Sequence, residues 1–123
     1  MSTIIASNVS DGTLSIPTTY VTNGSAKAWV NFNGTGTIAV RDSLNVSSLT
    51  DNGTGDYTVN IGSDFAAADY SVSVGGANAA SADEALDIAS PMAAGAFTLF
   101  NRDGAATKFD IPIVCANCHG DLA

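Results

Sequence analysis

Apolar and polar residues alternate with a period of two along most of the chain, which predicts half-buried strands and not amphipathic helices. The pattern is clearest from Ala26, where Ala28, Val30 and Phe32 share one face and Lys27, Trp29 and Asn31 the other. Asn33-Gly34-Thr35-Gly36 then supplies turn residues that tolerate positive φ, and Ile38 and Val40 continue the return strand, so residues 26–42 are expected as a hairpin. A third short strand is expected over Val46–Leu49, ended by a loop over residues 50–55. Tyr57, Val59 and Ile61 alternate with polar residues, as do Tyr70, Val72 and Val74. From Gly75 to Ala94 the alternation fails in a run of Ala and Ser, and a surface loop bounded by Pro91 is expected there in preference to a helical turn. Strands resume at Ala96–Phe100, a turn follows at Asn101–Gly104, and a last strand is expected over Lys108–Ala116 with Phe109, Ile111 and Ile113 on one face.

Some eight short strands at this spacing predict an all-β fold, a small antiparallel β-sandwich. Residues 1–22 read differently, as an extended N-terminal arm preceding a sandwich domain over 23–123. An arm of this length buries little surface alone, so its apolar residues Ile4, Ile5 and Ile16 are expected at a contact with another chain. No secretory signal and no transmembrane span is read in the sequence. The five N-x-[ST] sequons follow from the composition and carry no weight.

Composition narrows the partners. Of 123 residues, 4 are basic and 12 acidic, for a net charge of −8, and charged residues are only 13% of the chain, about half the usual share. Such a surface holds no nucleic acid, and an anionic membrane repels it. Ala, Gly, Ser, Thr and Asn fill 67 positions, yet 46% of residues are hydrophobic, enough to build a core.

One motif carries chemistry. Cys115-Ala116-Asn117-Cys118-His119 is the C-x-x-C-H pattern of c-type haem attachment. Its setting argues against haem: the motif continues a strand, and His119 is the sole histidine. The same three residues supply three of the four ligands of a zinc site, which a second chain would have to complete. The favoured reading is structural, with Cys115 in the core and Cys118 and His119 at a partly exposed chain end. No Ser-His-Asp set, P-loop or dinucleotide fingerprint is present, and no enzyme is expected. Asp42, Asp51, Asp56, Asp64 and Asp69 fall in or beside turns, where carboxylates bond their own backbone; no calcium loop is formed. Trp29, opposite Phe32, is read as part of a subunit contact in preference to a platform for sugar; in the latter case Tyr57 or Tyr70 would complete the platform.

Residues 17–61 include Ala26-Lys27-Ala28-Trp29-Val30-Asn31-Phe32-Asn33-Gly34-Thr35-Gly36-Thr37, then Asn45-Val46-Ser47-Ser48 and Asp51-Asn52-Gly53-Thr54-Gly55-Asp56-Tyr57-Thr58-Val59-Asn60. This stretch resembles a recurrent module of bacteriophage tail fibres and small virion proteins. The resemblance implies a virion component made in the host cytoplasm, a homotrimer with no enzymatic role and no cofactor, and it carries no binding residues over. The expected partners are other copies, other virion proteins and, for a fibre, a host surface glycan. The expected function is a short tail-fibre-like module docked through its arm, with a capsid decoration protein and a carbohydrate-binding module as the alternatives.

Overall fold

The computed structural model describes residues 1–77 and 84–123. Its leading residues form a hairpin of β1 (Asn8–Ser10) and β2 (Ser15–Pro17) and a seven-residue helix, α1 (Thr18–Gly24). The strands of the body are β3 (Ala28–Asn33), β4 (Ala39–Leu44), β5 (Val46–Gly53), β6 (Asp56–Ile61), β7 (Ser71–Ala77), β8 (Glu84–Ile88), β9 (Ala96–Asp103) and β10 (Ile113–His119). They make two antiparallel four-stranded sheets, β4-β3-β10-β7 and β5-β6-β9-β8, packed as the expected sandwich.

The alternation places the core. Ala28, Val30 and Phe32 of β3 face Tyr57, Val59 and Ile61 of β6, while Phe97 and Leu99 of β9 and Val114, Ala116 and Cys118 of β10 fill the centre. Each large side chain so buried contributes about 1.5–3 kcal/mol before chain entropy is counted. Phe32 and Tyr57 meet edge to face at 5.3 Å, and Phe65 stacks on Tyr70 at 4.1 Å. The chain crosses from β4 to β5 in a single residue, Asn45, at φ 53. Asparagine tolerates this left-handed conformation, and its side chain holds the corner by accepting from Ser63 N (2.6 Å) and donating to Ser63 O (3.0 Å).

Several expectations are corrected. Residues 1–22 are exposed almost throughout but are not an extended arm. Asp11 accepts from the N–H groups of Thr13 and Leu14 (2.8 and 2.7 Å) and Gly12 adopts φ 94, which folds the segment into the β1–β2 hairpin. Pro17, with φ near its fixed value, then opens α1. The strand expected over Val46–Leu49 runs on to Gly53, and the turn expected at Asn101–Gly104 lies later, because β9 continues to Asp103 and buries Asn101. The loop expected over 75–94 is interrupted by β8, a strand specified by its register with β9 and not by its own pattern; residues 78–83 of that expectation lie outside the described residues.

The last strand is displaced and inverted. β10 begins at Ile113 and not at Lys108, and Ile113, expected to share the inner face of Ile111, is 40% exposed. Pro112 donates no ladder hydrogen bond, and the pleat starts only after it, so Val114, Ala116 and Cys118 face inward. The favoured placement of the cysteines is therefore overturned: Cys118 is the core residue, and Cys115 lies half-buried on the outer face.

Candidate functional site

The segment before β3 concentrates unburied apolar side chains. Ile4, Ile5, Leu14 and Tyr20 are 94%, 93%, 72% and 71% exposed, and Val9, Ile16 and Val21 are exposed as well. α1 contributes no buried residue. The segment is nonetheless internally tied, because Thr18 donates its backbone N–H to Ser7 O (2.9 Å) and its hydroxyl to Ala6 O (2.9 Å). Its local order comes from turn and capping bonds, not from a core of its own, so its aliphatic residues remain available for contact.

The outer face of the β4-β3-β10-β7 sheet holds Trp29. In register beside it stand Leu44 of β4, 49% exposed, and Asn117 of β10; the next row is Asp42, Asn31 and Cys115. Arg41 spans this second row, donating to Asn31 Oδ1 (3.2 Å) and Pro112 O (2.6 Å). The outer face of the other sheet is polar and saturated: Thr58 and Thr98 share a hydrogen bond at 2.8 Å, and Asn60 donates to Ser48 and Thr50 (both 3.1 Å). Of the two faces, the one with Trp29 carries the apolar surface suited to a protein contact. A sugar platform completed by Tyr57 or Tyr70 is not formed, because both rings lie in the core.

Cys115, Cys118 and His119 are not brought together. Successive residues of a strand point to opposite faces, so Cys118 faces the core while Cys115 and His119 face outward, four residues or about 13 Å apart along the strand. A single haem edge or tetrahedral ion is not reached by all three within one chain, and no Cys115–Cys118 disulfide is formed. Burial pushes the Cys118 thiol up to about 11, which keeps it protonated and inert at neutral pH. Among the described residues, no group of three or more His, Cys, Asp and Glu side chains is placed to share a metal ion.

Two of the concavities adjoin at Asp69. One, about 360 Å³, is lined by Asn23, Ala66, Ala67, Asp69, Tyr70, Gly120 and Asp121. Its two carboxylates are unaccompanied by any cationic side chain in the lining, and Tyr70, pushed up to about 12 by burial, spends its hydroxyl on the carbonyls of Ala93 and Ala96 (3.0 and 3.1 Å). The other is a cleft of about 420 Å³ between β7 and β8, lined largely by Ala68, Val72, Ile88, Pro91 and Met92. Sequence reasoning missed this cleft, because Ile88 and Met92 fall in the stretch where alternation fails. Neither concavity gathers a nucleophile, a base and an anion-stabilising group.

Comparison with protein-family models, curated proteins and solved structures finds no match to this chain.

Proposed function

We propose that this chain is a bacteriophage virion structural protein, a short tail-fibre-like β module that forms a homotrimer and docks on another virion protein through residues 1–24. The observation that carries the reading is the division of labour in the chain. The sandwich draws no buried core residue from the leading segment, and the aliphatic side chains of that segment are left in solvent. Surface of this kind is retained for association. Val9, Leu14, Ile16, Tyr20 and Val21 supply the docking surface for the virion partner, and Trp29 with Leu44 lies at a subunit contact. The resemblance of residues 17–61 to fibre and virion modules supports the same reading, and no enzymatic role is assigned.

The test is the native mass of the purified protein together with mass-spectrometric counting of copies in purified particles. A trimer present at a few dozen copies or fewer is expected for the fibre module. Several hundred copies transfer the protein to the capsid lattice as a decoration protein, and absence from particles overturns the virion reading.

A further inference from the structure

Four strands end the two sheets: β4 and β7 in one, β5 and β8 in the other. An unpaired strand edge is a template for another chain, and proteins blunt it with charge, proline or a bulge. β4 carries Arg41 and Asp42 and is bulged opposite Asn31 and Phe32. β5 carries Asp51 and shows two register shifts, and β8 carries Asp87, paired with Arg102. β7, Ser71-Val72-Ser73-Val74-Gly75-Gly76-Ala77, has none of these devices. It runs in unbroken register against β10 from Ser71 to Ala77, and among the described residues no strand pairs with its other side.

A second feature lies on the same side. The cleft of about 420 Å³ opens between the Val72 end of β7 and the Ile88 end of β8, and Ile88, Pro91 and Met92 line it beside Val72. A strand added to β7 would extend the sheet, every second side chain of it would point between the sheets, and the one beside Val72 would enter that cleft.

We propose that the edge of β7 receives residues 1–6 of a second copy, with one isoleucine of the Ile4-Ile5 pair seated in the cleft. Residues 1–6 form no secondary structure of their own and hold the most exposed isoleucines of the chain. They span about 20 Å when extended, close to the length of β7. Charge selects the same segment. The chain carries −8 overall, and Asp69 stands at the cleft, whereas residues 1–10 include no charged side chain. They can approach a second copy without setting carboxylate against carboxylate. The contact is head to tail, which a ring of copies closes and an open filament does not; the proposal takes the ring, and β1, β2 and α1 remain outside the contact for a further partner. This inference deepens the self-association part of the proposed function and is independent of its virion part.

The experiment compares the full-length chain with the double variant Ile4→Asp/Ile5→Asp by native mass spectrometry and light scattering across a concentration series. The wild type is expected to form a closed oligomer and the variant a monomer, with unchanged circular dichroism and the melting midpoint that the wild type shows when diluted to monomer, because neither isoleucine touches the core. A peptide of residues 2–7 added to the variant is expected to slow hydrogen exchange in Ser71–Ala77. A monomeric wild type, an oligomer that survives the double substitution, or peptide protection at β4 in place of β7 would each overturn the proposal. Loss of the oligomer in the variant of a protein absent from virions would leave it standing while the virion reading fails.

Discussion

At Tyr57 one hydroxyl joins three chain segments. It donates to Gly34 O at 2.7 Å and reaches the Asp110 carboxylate at 3.0 Å, and that carboxylate also accepts from Gly55 N at 2.7 Å. Burial, then the Asp110 hydrogen bond and charge, raise the phenol well above its usual range, so it is a neutral donor at neutral pH. Tyr57→Phe leaves the Gly34 carbonyl unpaired in the interior, and a loss of about 1–3 kcal/mol in chemical unfolding is expected. Gly34 leaves no room for a side chain, since a Cβ would stand 2.7 Å from the Tyr57 hydroxyl and 2.8 Å from Ile111 O; Gly34→Ala is expected to cost a similar amount. The cysteines give a second test. Iodoacetamide is expected to modify Cys115 in the native protein and Cys118 only after denaturation, because Cys118 is 1% exposed and held protonated. Labelling in the reverse order would show that β10 has the opposite parity.

Among the elements, β3, β6 and the first half of β9 were legible because one face of each is wholly buried, and a period of two is then forced on the sequence. β6 reads Tyr57, Val59, Ile61 inward and Thr58, Asn60 outward with no exception. β8 was not legible, since as an edge strand over an open cleft its residues are half-buried without strict alternation, and only its partner β9 defines it. β10 was legible as a strand but not in phase: Phe109, Ile111 and Ile113 alternate in sequence, yet Pro112 interrupts the ladder and shifts the inward set to Val114, Ala116 and Cys118. The candidate surface was named from Ile4, Ile5, Ile16 and Trp29, all of which the structure leaves wholly or partly accessible. The hairpin and helix of residues 8–24 are not legible as an apolar period, because they rest on the turn held by Asp11 and on the fixed φ of Pro17 at the start of α1. The loop between β9 and β10 is also tied to β6 by charge. Lys108, stacked over Phe100 at 4.9 Å, pairs with Asp56 at the start of β6. Burial raises the Asp56 carboxyl, but the Lys108 and Asn52 hydrogen bonds and the Lys108 charge outweigh it and hold the group below the ordinary carboxylate value. A depressed folded-state value contributes stability above the unfolded carboxylate range, and that contribution is lost as pH falls through the folded value. With side-chain exposures of 44% and 23%, the pair is worth under about 1 kcal/mol. Lys108→Met is expected to lower stability by that amount at pH 7 and to leave it unchanged near pH 2.

For the whole molecule, charge decides how copies meet. A chain of net −8 with 4 basic residues repels its own copies, so association must be driven by apolar contact against that repulsion. Oligomers held by ion pairs weaken as salt rises, and the proposed oligomer is expected to do the reverse. Raising ionic strength from about 0.01 to about 0.15 M shortens the screening length from about 30 to about 8 Å, which removes most of the repulsion between bodies while leaving isoleucine burial untouched. The dissociation constant measured by sedimentation is therefore expected to fall over that range, and a rise would show that ion pairs hold the contact. The same division of labour fixes what the leading segment contributes to folding. Deleting residues 1–24 removes seven exposed large apolar side chains besides Met1 and no member of the buried core. The truncated chain is expected to unfold in one cooperative transition at nearly the denaturant midpoint of the wild type diluted to monomer, while the proposed oligomer is lost. A large drop in the midpoint would instead make residues 1–24 part of the folding unit, and the aliphatic side chains they leave in solvent would then have to be covered by their own sandwich.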